Sequence, residues 1–134
     1  MNEFIPSPDL FGRLFNPNVA KLILIVRNKE KGAAIVKNIK PINPKCEITL
    51  ELCDLSLPKQ VSATGKRISE SIQKSEDPHD ISIINNAAVV PTSKEVTKDG
   101  YDMQWATNVL SYHALTQALL PLLKARPNSR VFGK

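Results

Sequence analysis

The sequence predicts an α/β fold: a parallel sheet with flanking helices. Three observations predict it. Short apolar runs of strand length alternate along the chain with longer segments of helical period. The first run, Leu22 to Val26, is continuously rather than alternately apolar, as in parallel strands covered on both faces. The 134 residues, 42% hydrophobic and 23% charged, suit one globular domain.

Each element follows in order. Residues 1–13 form an irregular N-terminal segment, in which Pro6 and Pro8 oppose regular structure, and the domain is expected over 14–134. Leu10, Leu14 and Phe15 suit a short helix that Pro17 would end. After Leu22–Val26 comes Arg27-Asn28, then a helix from Lys29 to Ile39 with Ile35 and Ile39 at i, i+4. Ile48 to Cys53 alternates with period two, with Ile48, Leu50 and Leu52 on one face, which suits an edge or half-exposed strand. Pro58 stands near the start of a second helix, whose stripe is Val61, Thr64, Ile68 and Ile72. Gly65 costs that helix about 1 kcal/mol relative to alanine. Ile81 to Ile84 is the next strand, and Val89 to Gly100 a loop. Tyr101 to Lys124 reads as the longest helix, with Trp105, Val109, Tyr112, Leu115 or Thr116, and Leu119 recurring at helical spacing, Trp105 and the leucines as core or interface positions, and Pro121 kinking or tightening its last turn. Arg130 to Phe132 begins another strand. The βαβ series implies right-handed crossovers.

Composition narrows the function classes. The net charge is +5, yet the basic residues are scattered and aromatics are only 5%, so a solvated basic surface is expected and no nucleic-acid partner. No apolar stretch approaches the ~20 residues of a membrane span. Met1 to Pro8 lacks the pattern of a secretory leader, which leaves a cytoplasmic location. Cys46 and Cys53 flank or lie in the second strand; at ~3.3 Å per residue they stand roughly 20 Å apart, too far for a disulfide. Neither has ligand spacing with His79 or His113, so no metal is expected.

Three local patterns occur in order and at consistent distances. Leu22 to Gly32 is a strand ending in Arg27-Asn28. Cys53-Asp54-Leu55-Ser56 closes the next strand. Ile81-Ser-Ile-Ile-Asn-Asn-Ala-Ala88 is followed by Thr97-Lys-Asp-Gly-Tyr-Asp-Met-Gln-Trp-Ala-Thr-Asn108 and a leucine-rich helix. Over roughly residues 14–131 this resembles the short-chain dehydrogenase/reductase family, nearest its retinol-dehydrogenase-like branch. The resemblance implies a partial Rossmann-type sheet and an oxidoreductase acting on an alcohol or carbonyl group with a dinucleotide. Arg27 and Asn28 would lie at the adenosine end. There an arginine suits a 2′-phosphate, favouring NADP(H) over NAD(H), although a plain surface arginine at a strand end is the alternative. Asp54 and Leu55 match the segment near the adenine, where a carboxylate can accept from the exocyclic amine; a turn or cap role before the Pro58 helix is equally compatible. Asn86, Ala87 and Ala88 match the backbone that lines the cofactor ribose, with Ala88 in place of the usual glycine. Asn108 matches the asparagine of the catalytic tetrad, which helps hold a proton-relay water.

Other family features are not found in this sequence. No glycines have the Gly-x-x-x-Gly-x-Gly spacing, and no Tyr-x-x-x-Lys exists, since Trp105 and Thr116 stand four residues after the two tyrosines. The expectation is a chain truncated at both ends, lacking the first strand and the later strands and inactive alone. The alternatives are an interaction module that self-associates through exposed strand edges, or an enzyme completed by a partner chain.

Overall fold

The computed structural model describes residues 18–133; the irregular segment and short helix expected before Pro17 lie outside them. The chain divides into two compact units, one ending at Cys53 and the other beginning at Asp54.

The first unit is a βαβ unit. Strand β1 (Lys21–Val26) leads through Arg27 and Asn28 into helix α1 (Lys29–Ile39), and strand β2 (Glu47–Leu52) returns parallel to β1, with Lys21 opposite Glu47 and Val26 opposite Leu52. Helix α1 starts where Asn28 turns extended (φ −122°, ψ 118°) and its side chain caps the first turn. Its Gly32 settles onto the strands: a Cβ there would meet Val26 Cγ2 at 2.9 Å and Leu50 Cδ2 at 3.2 Å. The apolar run of β1 predicts a strand covered on both faces, but all six of its residues are half-buried. One helix in its unit covers one face. Cys46 and Cys53, at the two ends of β2, are both buried, and neither is in a disulfide.

The second unit opens with helix α2 (Pro58–Lys74), with Pro58 in the first turn as expected. Its stripe of Val61, Thr64, Ile68 and Ile72 is buried. Strand β3 (Ser82–Asn85) follows and pairs in parallel with β4 (Arg130–Gly133), Ser82 opposite Arg130 and Asn85 opposite Gly133. Within the intervening loop Gly100 takes φ +85°, closing a tight turn in which Thr97 N donates to the Tyr101 carbonyl at 2.7 Å.

The long helical run between those strands has three parts. A single turn, α3 (Met103–Trp105), is capped by Asp102; a π-helical turn covers Ala106–Leu110; and α4 (Ser111–Lys124) completes it. The π turn was not expected. In it Ser111 N reaches back five residues to the Ala106 carbonyl, and the buried Ser111 hydroxyl takes the Thr107 carbonyl that this N–H would take in α geometry. The stripe of Trp105 and Val109 does not form the core either: Trp105 is 53% exposed and Val109 41%. The buried positions are Ala106, Thr107, Ser111, Leu119 and Leu122, and the small residues among them escape a search for large apolar ones. Helix α4 runs through Pro121 to Lys124, so the proline sits in the last turn.

Candidate functional site

In open parallel sheets, ligands bind outside the carboxyl ends of the strands. Both units place expected site residues at such an end, and each is described on its own.

In the first unit Arg27 directly follows β1 and is exposed. Asn28 beside it is committed to structure: its Oδ1 accepts from Lys31 N at 2.8 Å and caps α1. The strand end therefore presents one guanidinium beside a capped helix N-terminus.

In the second unit Asp54 and Leu55, both half-buried, form the approach to α2. The Asp54 carboxylate makes a local turn. Its Oδ1 accepts from Ser56 N at 2.9 Å and from Ser56 Oγ at 2.7 Å. The Asp54 N–H donates to the side chain of Gln60, which reaches back from the first turn of α2. The helix cap itself is Leu57, which contributes no side-chain bond, so Asp54 is a turn residue and not the cap.

Asn86, Ala87 and Ala88 leave the carboxyl end of β3, with Asn86 and Ala87 half-buried and Ala88 exposed. The helical run holds this segment. Asn108, within the π turn, accepts from Val89 N through Oδ1 at 2.9 Å and donates from Nδ2 to the Val89 carbonyl at 2.9 Å. One turn later Tyr112 Oη donates to the Ala87 carbonyl. Burial pushes the Tyr112 phenol above its ordinary value, so it is held as the protonated donor. Both polar backbone atoms of Val89 and the carbonyl of Ala87 are thus tied to one face of the helix. A shallow groove of about 250 Å³ beside Asn108 is lined also by Asp102, Gln104, Trp105 and Val109.

The structure therefore brings Asn86, Ala87, Ala88 and Asn108 together, and Arg27 with Asn28. Tyr112 was read only as recurring at helical spacing. Its place four residues after Asn108, on the same helix face, is the signal that would have found it.

No protein-family profile matches the chain. Curated relatives do. Retinol dehydrogenase 13 of Mus musculus is 34% identical over 114 residues, covering 84% of this chain and 32% of the relative. Dehydrogenase/reductase SDR family member 12 of Bos taurus is 35% identical over 109 residues, covering 81% and 32%. The chain belongs to the short-chain dehydrogenase/reductase family. It spans about a third of the length of these relatives. Among solved structures, a metagenomic short-chain oxidoreductase in complex with NADP superposes with a TM-score of 0.70 at 20% identity, covering 90% of this chain and 53% of that one. L-Sorbose reductase from Gluconobacter frateurii, complexed with NADPH and L-sorbose, gives 0.62 at 20% identity over 90% and 46%. These structures show the fold, which is the Rossmann-type α/β fold of the family.

Proposed function

We propose that this chain is the cofactor-binding portion of an NADP(H)-dependent oxidoreductase acting on an alcohol or carbonyl group. The single observation that carries the cofactor class is the exposed Arg27 at the carboxyl end of β1. A guanidinium there offers charge-assisted bonds to a 2′-phosphate, whereas a ribose 2′-hydroxyl is suited by an acidic residue. The residues fit the group in part. Arg27 would meet the phosphate. Asn28 serves through its helix cap more than through its side chain, whose oxygen is already used. Asp54 keeps its second carboxylate oxygen for an adenine amine while the first makes the turn. The backbone of Asn86 to Ala88 would line the ribose, held from behind by Asn108. The dinucleotide, when bound, supplies or accepts the hydride; these residues bind and orient it. The tyrosine–lysine pair that would move the proton is not in this sequence, so these residues alone do not turn over substrate. Two cysteines outside any disulfide accord with a reducing cytoplasmic compartment, and no helix among the described residues is long and apolar enough to cross a membrane.

The test is binding. NADPH raises the melting temperature of the chain, by an amount equivalent to about 2.7 kcal/mol at ~100 times Kd, and NADH does so less. Arg27→Glu reverses the order of the two cofactors. If the variant keeps the same NADPH-to-NADH affinity ratio, Arg27 does not select the cofactor.

A second reading is self-association. Among the described residues every strand has one hydrogen-bonded neighbour, in two two-stranded sheets, so each strand offers an edge on which another chain can pair. Sedimentation that depends on concentration supports this reading, and a monomer up to ~100 μM removes it.

A further inference from the structure

We propose that Tyr112 is a positioning residue for the cofactor-lining backbone: its hydroxyl, donating to the Ala87 carbonyl, works with the Asn108 amide on Val89 to clamp residues 87–89 at the end of β3. The inference rests on the dinucleotide reading above for its function, but the clamp is a property of the second unit by itself. The argument is one of accounting. Backbone leaving a strand end has lost its ladder partners and must satisfy its polar groups elsewhere. Here three of those groups, the Ala87 carbonyl and both polar atoms of Val89, are taken by two side chains four residues apart on one helix. The helix is itself anchored, since Thr107 and Ser111, which bracket Asn108 and precede Tyr112, are buried. Ala87 and Ala88 carry only methyl groups with which to hold the shape of this segment, which leaves its geometry to these ties. A ligand that bonds this backbone needs it ordered beforehand; each restraint lost is affinity lost on binding.

Tyr112→Phe keeps the ring and removes only the donor. Hydrogen exchange of the Ala88 and Val89 amides, NADPH affinity and thermal unfolding are measured on the wild type and the variant. The expected result is exchange at 88–89 faster by about tenfold and NADPH binding weaker by about tenfold, the loss of one hydrogen bond, with exchange in α1 and β2 unchanged. A residue that only packs would leave exchange at 88–89 and affinity unchanged in Tyr112→Phe, and that result overturns the proposal. If the wild type binds no NADPH, the dinucleotide reading falls, while exchange at 88–89 still decides the clamp. If the variant does not fold, the wild type decides: a Tyr112 hydroxyl proton protected from solvent exchange supports the tie, and a rapidly exchanging one overturns it.

Discussion

At the scale of single residues, one side chain often answers two demands, and Asp54 shows how to separate them. Its position after the second strand left two roles open, acceptor for an adenine or local turn former. The structure fills the second: Oδ1 holds both the N–H and the hydroxyl of Ser56. Asp54→Asn keeps an acceptor at that place and loses the charge; Asp54→Ala loses both. The alanine variant is expected to be less stable by about 1 kcal/mol, in the range for deleting a capping or turn acceptor, and the asparagine variant close to wild type. Urea denaturation of the three proteins checks this. Equal losses in both variants would mean that the charge, not the turn, is what stabilises the approach to α2. The same style of accounting shows what residue-level reading missed. Asn108 was found by its resemblance, but the backbone groups it serves, those of Val89, lie 19 residues away, and no local pattern names them.

At the scale of elements, Gly65 reverses its sequence-level meaning. Read alone it is a weak point of α2, costing about 1 kcal/mol of helix propensity against alanine. In the fold it is where α2 and α4 meet: a Cβ added at Gly65 would stand 2.6 Å from the Ala118 Cβ, with Leu115 Cδ1 at 3.4 Å. Neither Cβ can rotate away, so the helices must separate. Overpacking of this kind costs roughly 1–3 kcal/mol, more than the propensity gained. Gly65→Ala is therefore expected to lower stability by about 1 kcal/mol, where an exposed helical glycine would raise it. Ala118→Gly in the same chain is expected to recover part of the loss, and a double-mutant cycle of thermal melts reads that coupling directly. Additive effects would show that the two helices do not meet at these residues. The case also marks where legibility ended. The bounds of α1 and the stripe of α2 were readable because they depend on caps and on spaced Val and Ile. The buried face of the last helical run was not, because Ala106, Thr107 and Ser111 do not announce burial, and because the π turn depends on one buried hydroxyl.

At the scale of the whole molecule, the order of strands and helices was legible and the burial of the strands was not. Continuous apolarity in β1 indicates what the strand can bury, whereas its half-buried state depends on which elements its unit supplies. The same distinction governs the response to pH. Among the described residues, the fold favours the neutral form of an acid in each unit: Cys46 in the first, raised from 9.0 chiefly by burial, and Tyr112 in the second, raised from 10.0 by burial. For such groups the folded state holds the proton more tightly than the unfolded chain does. Their contribution is fully present below the unfolded values and is lost as pH rises through the folded ones. The share of melting temperature due to either group is thus expected to be constant between pH 6 and 8, and to fall above about pH 9 as the unfolded chain gains from ionising. Tyr112→Phe removes the phenol's share and should flatten the steeper part of the fall near and above pH 10, while Cys46→Ala should act on the part that begins lower. Melts followed by circular dichroism from pH 6 to 11 test this. A wild-type curve that both variants merely shift downward without changing its slope would show that neither buried acid governs the alkaline limit.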